Sequence, residues 1–561
     1  MANIEIGQLQ NGGLILDKPK YDLPPHIFTS AYNIDFTTVG ATPAVKEQQV
    51  ISEMQGTPIA LNIVGLSNKQ RLLLYFTETK IFYNYRGQHV DISRIGDTYS
   101  ATTDFTWNGG FFNGWLVYTN GADVPQAYAP TDPANKFSDL ANWPPTVRVK
   151  TILPFGNFLV GFGYNQATES EFDSQTVFWS DVADPGTLPT WDVTDPASKA
   201  GTFALSQTKG AILGASLIGS DMIIYKEDSI WAMRYIGGTY VFSFEKRLEN
   251  YGLISPKAFV SLGKEHFCVD SGKIYTHNGV TAQEIGVGVV KNSFFADINK
   301  DAKGNIFCLH EEAKNRIWIF YPSNDSFYCN KALIWNYAFN TWTVRDLPDT
   351  RCGCSGFNAL YGYFSSYDSL EPDANPWNTV EFVYDSLPDS FVYDVSSFSG
   401  TDKAIYLGLD VNVSEVVHDY ANNESSYMDI TWYGASDYPP IYQIPFDGER
   451  KAGYLERTNL AIAGQDQSGN PTVDRTIYKT LTEFYPEVLN GAVQIRFGTQ
   501  SVHSGTVDWS AWYDYDPSSD FCLFPFMTEK YIAIAFRSDP NNLTNWELTG
   551  FSLEIVKGGR Y

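Results

Sequence analysis

The residues best suited to chemistry are two His/Cys pairs, His266-x-Cys268 and Cys308-x-His310. Residues two apart on a strand share a face, so each pair could present two ligands together. Two neighbouring strands would then make a tetrahedral zinc site. The usual zinc spacings are absent, however, and the alternative is two buried strands carrying incidental His and Cys. Asp297, Asn299 and Asp301 stand at calcium-loop spacing. The pattern then fails, because Ala302 occupies the glycine position and Cys308 the position of the bidentate Glu, which leaves a solvated turn. Cys352-Gly-Cys354 cannot easily close on itself and reads as two free thiols in a turn. The chain has no G-x-S-x-G elbow, no phosphate loop and no H-E-x-x-H pair. No catalytic, cofactor-binding or metal-binding residue is therefore assigned, and folding is expected to need no metal.

The elements that would position such residues are strands. LLLYFTETKIFYNYR (72–86), MIIYKEDSIWAMR (222–234) and EHFCVDSGKIYTHNG (265–279) each read as strand, polar turn, strand. Lys226, Glu227 and Asp228 are expected at the tip of the second hairpin and Ser271-Gly272 at the tip of the third. Further strands are expected at 157–164, 315–321 and 332–344, and one short helix at 288–300. Hairpin groups recurring every ~40–60 residues suit propeller blades, with room for about five to seven between 55 and 350. FWSDVADPGTLPTW (178–191) shares residue types with sialidase Asp boxes but not their order, and reads as an aspartate-capped turn burying Trp179 and Trp191. VQIRF (493–497) and FSLEI (551–555) alternate cleanly, whereas YIAIAF (531–536) reads as a central strand buried on both faces.

The expected organisation is all-β, a β-propeller with a C-terminal β-sandwich-like domain and long loops. Residues 1–54 form an N-terminal segment expected to help close the propeller, and 55–354 the blades. Residues 355–449 are a loop-rich insertion or further strands, and 450–561 the sandwich. Composition agrees: Tyr (35), Phe (37) and Trp (14) are abundant, and charged residues make up only 18% of the chain. Lys and Arg total 39 against 64 Asp and Glu, a net charge of −25, which excludes nucleic-acid binding through a general basic face. No apolar run is long enough to span a bilayer as a helix. The start, MANIEIGQLQ, lacks the regions of a secretory signal. Cys268, Cys308, Cys329 and Cys522 sit among apolar residues and read as buried thiols, so synthesis in a reducing cytoplasm is expected.

Four segments carry a resemblance: LPPHIFTSAYNIDF (23–36) with Gly40, FWSDVADP (178–185), IWNYAFNTWTVRDLP (334–348, with Trp342 before Arg-Asp-Leu-Pro), and 529–561 with its YIAIAFR strand and Gly-Gly-Arg. Together these resemble the tail nozzle (tail tubular protein B-like) family of short-tailed bacteriophages; 355–445 has no counterpart in the pattern. The resemblance implies a structural virion protein and not an enzyme. It implies a hexameric ring below the portal and head–tail adaptor proteins that contacts tail fibres or spikes. The ring would retain the genome and conduct DNA during ejection without sequence-specific binding. The alternative reading is a glycan-binding or glycan-cleaving propeller of a phage or bacterium.

Overall fold

The computed structural model describes residues 2–51, 54–65, 71–85, 88–102, 106–130, 135–166, 174–238, 240–357, 403–409, 441–444, 448–466 and 471–559. Most of the expected insertion at 355–449 lies outside these residues. Among them no helix is long and apolar enough to cross a membrane.

Between 60 and 357 the chain forms six consecutive four-stranded antiparallel meanders. Their first strands are Ala60–Gly65, Asn108–Phe112, Val147–Phe155, Ile212–Ile218, Phe259–Ser261 and Phe307–Glu311, which open blades 1 to 6. Asp221–Lys226 and Arg316–Tyr321, the second strands of blades 4 and 6, are buried almost throughout. Neighbouring blades cover both of their faces, so the residues run apolar without alternating. Asn113 and Gly114, both at positive φ, turn Phe112 back into Trp115, as a two-residue hairpin with the right twist requires.

A hydrophobic core fills the space between each pair of adjacent blades, and the one between blades 5 and 6 is continuous with the core of the sandwich. Phe76 and Tyr118 join blades 1 and 2, Val117 and Leu159 blades 2 and 3, and Val160 and Trp231 blades 3 and 4. Tyr225 packs with Cys268 between blades 4 and 5, and Phe267 with Ile317 between blades 5 and 6. Met54, Leu61, Leu73 and Tyr75 meet Cys352 and Cys354 between blades 6 and 1, which closes the ring. The chain is a six-bladed β-propeller joined to a β-sandwich.

The sandwich draws on both ends of the chain. Ala2–Ile6 and Ala41–Pro43 pair with Glu547–Lys557, which also pairs with Lys479–Leu489. In the second sheet Tyr531–Arg537 lies between Tyr454–Leu460 and Val493–Gln500. The central placement expected for 531–536 is found, and its residues are all buried. Phe484, Phe497, Phe536, Trp546 and Phe551 fill the space between the sheets. Ser30–Tyr32 pairs with Tyr454–Leu460 on one side and runs parallel to blade 6 at Tyr32 and Val344 on the other, making one continuous sheet of the two domains.

Several local expectations are corrected. Cys352 and Cys354 lie in the long strand Thr341–Phe357 and not in a turn, buried against blade 1. Cys522 is half-buried. The helix is limited to Lys291–Asp297. Lys226 is not at a hairpin tip: it ends its strand fully buried, with Nζ donating to Leu205 O at 2.8 Å and Thr208 Oγ1 at 3.1 Å.

Candidate functional site

The first strands of all six blades converge on an axial channel with a cavity of about 320 Å³. Its wall is largely apolar, with Leu61, Phe76, Leu153, Phe259 and Phe307 among the lining residues. Several polar groups rivet blades together. Asn62 Nδ2 donates to Tyr118 Oη at 2.6 Å between blades 1 and 2. Asn108 Nδ2 donates to Lys150 O at 2.6 Å between blades 2 and 3. Lys257 is the only charged side chain among the described residues lining this channel. Such a slot does not admit a DNA duplex, whose major groove alone is about 12 Å wide.

A second cavity, of about 540 Å³, opens where the turns of blades 4 and 5 meet. The expected hairpin tips line it through Glu227, Asp228, Ser271 and Gly272, together with Asp270, Lys273, Lys291 and Lys303. Asp270 Oδ1 accepts from the amides of Gly272 (2.7 Å) and Lys273 (2.6 Å), and Lys291 is paired with Glu284 at 2.8 Å. Those two side chains shape the rim.

The two His/Cys pairs do not converge, and no cluster of three metal-ligating side chains occurs among the described residues. His266 instead belongs to a buried chain of hydrogen bonds between blades 4 and 5. Its Nε2 bonds to Leu217 O at 3.0 Å, so it carries the proton and Nδ1 accepts from Tyr225 Oη. His277 Nδ1 accepts from the amide of Gly279 at 3.1 Å, which leaves its Nε2–H to donate to Tyr225 Oη at 2.8 Å. Every ring nitrogen has one role, and the pattern closes only with both imidazoles neutral. Burial pushes His266 down to about 4, and burial together with His266 pushes His277 down to about 3. Cys268 is buried with its pKa pushed well up, and His310 bonds to Tyr337 Oη at 3.1 Å. Tyr225 had no sequence signal, because 41 residues separate it from His266, whereas a hairpin with its tip at Ser271-Gly272 sets His277 directly opposite His266.

The acidic turn near 297–301 is structural. Asp297 accepts from Tyr321 Oη at 3.0 Å and Lys331 Nζ at 3.1 Å, and Asn299 caps the short 3-10 helix through the Asp301 amide. In 178–191, Asp181 Oδ1 accepts from the Val182 and Lys199 amides, and Trp179 and Trp191 are buried.

The other segments of the resemblance meet at the joint between blade 6 and the sandwich. Asp35 pairs with Arg316 of blade 6 at 2.9 Å, with both side chains buried. Glu47 lies between Arg345 (2.7 Å) and Lys451 (3.1 Å), all three side chains at most 6% exposed. Burial pushes the Glu47 carboxyl up, but Arg345 and Lys451 outweigh it and hold it down at about 2. The Arg345 guanidinium also stacks 5.1 Å from the Trp318 ring centre.

No family model matches the chain, and no curated protein is similar to it. Among solved structures it is similar to the Cps50 (Swd1) β-propeller domain of Myceliophteria thermophila. Identity is 8% and the TM-score 0.34, over 55% of this chain and 92% of that one. It is also similar to PorZ, a surface component of the type-IX secretion system of Porphyromonas gingivalis, at 9% identity and a TM-score of 0.31, over 55% of this chain and 35% of that one. The chain thus matches about a third of the length of PorZ. At these values the propeller assignment stands on the six sheets and their closed ring of interfaces.

Proposed function

We propose that the chain is a structural virion protein, the nozzle subunit of a short phage tail. In this reading it assembles as a hexameric ring that extends the portal and adaptor channel, holds the genome and conducts DNA at ejection. The observation that supports the reading is the joint. Segments 23–36, 334–348 and 529–561 carry most of the resemblance; the first pairs directly with the second, and Tyr454–Leu460 links it to the third, while Asp35 adds a buried ion pair to Arg316 of blade 6. Residues engaged in this way fix the angle between two domains, which a load-carrying ring subunit needs. DNA would pass between subunits around the ring axis, since the propeller's own channel is too narrow.

Assembly also needs exposed apolar surface. Phe521, Phe524 and Phe526 project from one loop of the sandwich, with Phe521 81% exposed, and Tyr235, Ile236 and Tyr240 project from the outer hairpin of blade 4. The glycan reading would need open aromatic platforms. The described tryptophans are buried or half-buried, and Arg496 and Arg537 stack on Trp512, so no observation favours it over the first. Electron microscopy of the purified chain with adaptor protein tests the proposal: closed rings are the expected result, and monomers at all concentrations would count against it.

A further inference from the structure

Most buried ammonium groups in this fold are matched by acceptors. Lys226 reaches Leu205 O and Thr208 Oγ1, and Lys451 reaches Glu47 and Asp346 O. Lys479 reaches Ile477 O and Lys530 O. Lys257 differs. It follows Pro256 at the entry to blade 5, and its backbone carbonyl accepts from the Cys308 amide at 2.9 Å, which anchors it to blade 6. Its Nζ has one hydrogen-bond partner, Thr106 Oγ1, at the long distance of 3.5 Å. Burial pushes its pKa down, and the ionisable groups bearing on it are the Cys352 and Cys354 thiols. Burial pushes Cys354 far up, so that thiol stays protonated and offers no negative charge.

The Lys257 side chain lines both the axial channel and a side cavity of about 120 Å³. Thr106, Asn305, Tyr328 and Arg351 also line the side cavity, and no carboxylate does so among the described residues. Arg351 Nη2 donates to Tyr328 Oη at 2.7 Å and its guanidinium stacks 4.5 Å from that ring centre, so a second cation is held in a fixed pose. A cavity walled by two cations and hydroxyl groups, with no carboxylate in its described lining, supplies what an oxyanion requires. We propose that this side cavity binds a small oxyanion, such as inorganic phosphate or a compact carboxylate, with the Lys257 ammonium as its main partner. The anion would join blade 5, which carries Lys257, to blade 6, whose strands carry Arg351. It would act as a removable rivet at the propeller axis.

The test uses the full chain in a buffer free of multivalent anions, titrated with sodium phosphate or sodium acetate against sodium chloride at matched ionic strength. Thermal melting and calorimetry supply the readouts. The expected result is a saturable rise in melting temperature and a one-to-one binding isotherm for the wild type, kept in Lys257→Arg and in the exposed control Lys264→Met. In Lys257→Met the apparent affinity should fall by about tenfold or more, the loss of one charged hydrogen bond. The phosphate and acetate arms show which source of oxyanion the cavity prefers. A rise that never saturates and is shared by Lys257→Met would be the general salt effect and would overturn the proposal. So would the absence of binding heat from both anions with the wild type, a result that does not depend on any variant folding.

Discussion

Glu47 sits between two cations drawn from distant parts of the chain, Arg345 of blade 6 and Lys451 at the start of the sandwich. Removing one member of such a buried group leaves the others unpaired, so Glu47→Gln should cost about 3–5 kcal/mol in urea unfolding. Its pKa in the folded protein, about 2, lies below the ordinary 4.5, so its stabilisation is complete above pH 4.5 and is lost as the pH falls towards 2. The two buried histidines act earlier. The unfolded chain takes up protons near pH 6.5, whereas folded His266 and His277 resist until about 4 and 3. Stability should therefore begin to fall below pH 6.5, before the carboxylates contribute. Urea midpoints between pH 7.5 and 4.5 measure this, and the His266→Gln/His277→Gln variant should flatten that part of the curve. Tyr225→Phe would leave His266 Nδ1 and the His277 Nε2–H unsatisfied, at a cost of about 1–3 kcal/mol.

At the scale of elements, Gly40 shows why the N-terminal strands sit where they do. A Cβ there would lie 2.1 Å from Leu548 O, so only glycine lets the turn before Ala41–Pro43 approach the last strand. Gly40→Ala should cost about 1–3 kcal/mol, while Gly304→Ala, whose Cβ would meet nothing within 4 Å, should be nearly neutral. Melting curves of the two variants check the contrast. The hairpins at 72–86, 222–234 and 265–279 were legible because each pairs two apolar runs across a polar turn. Local pattern failed at 352–354, where Gly353 suggested a turn inside a strand that blade 1 covers. Of the candidate site, the sequence made His266 and Cys268 visible, and the hairpin register implied His277, but Tyr225 comes from another blade and could not be seen. Lys257 gave no signal at all, because its environment is assembled from Thr106, Tyr328 and Arg351 on other blades.

At the scale of the whole molecule, the net charge of −25 and the exposed Phe521 and Phe526 belong to one account. In the proposed tail, apolar loops would make the contacts between proteins, and a channel face poor in Lys and Arg would not hold passing DNA through released counterions. Carboxylates should therefore outnumber Lys and Arg on the loops that face the axis of the assembled ring, and several lysines introduced there should slow ejection without blocking assembly. The central claim is that this chain is built into a phage tail. Quantitative mass spectrometry of purified particles, with antibody labelling seen by electron microscopy, tests it most directly. The account predicts about six copies per particle by analogy with closed ring symmetry, with label confined to the tail. Particles that lack the chain, or label spread over the capsid, would contradict it.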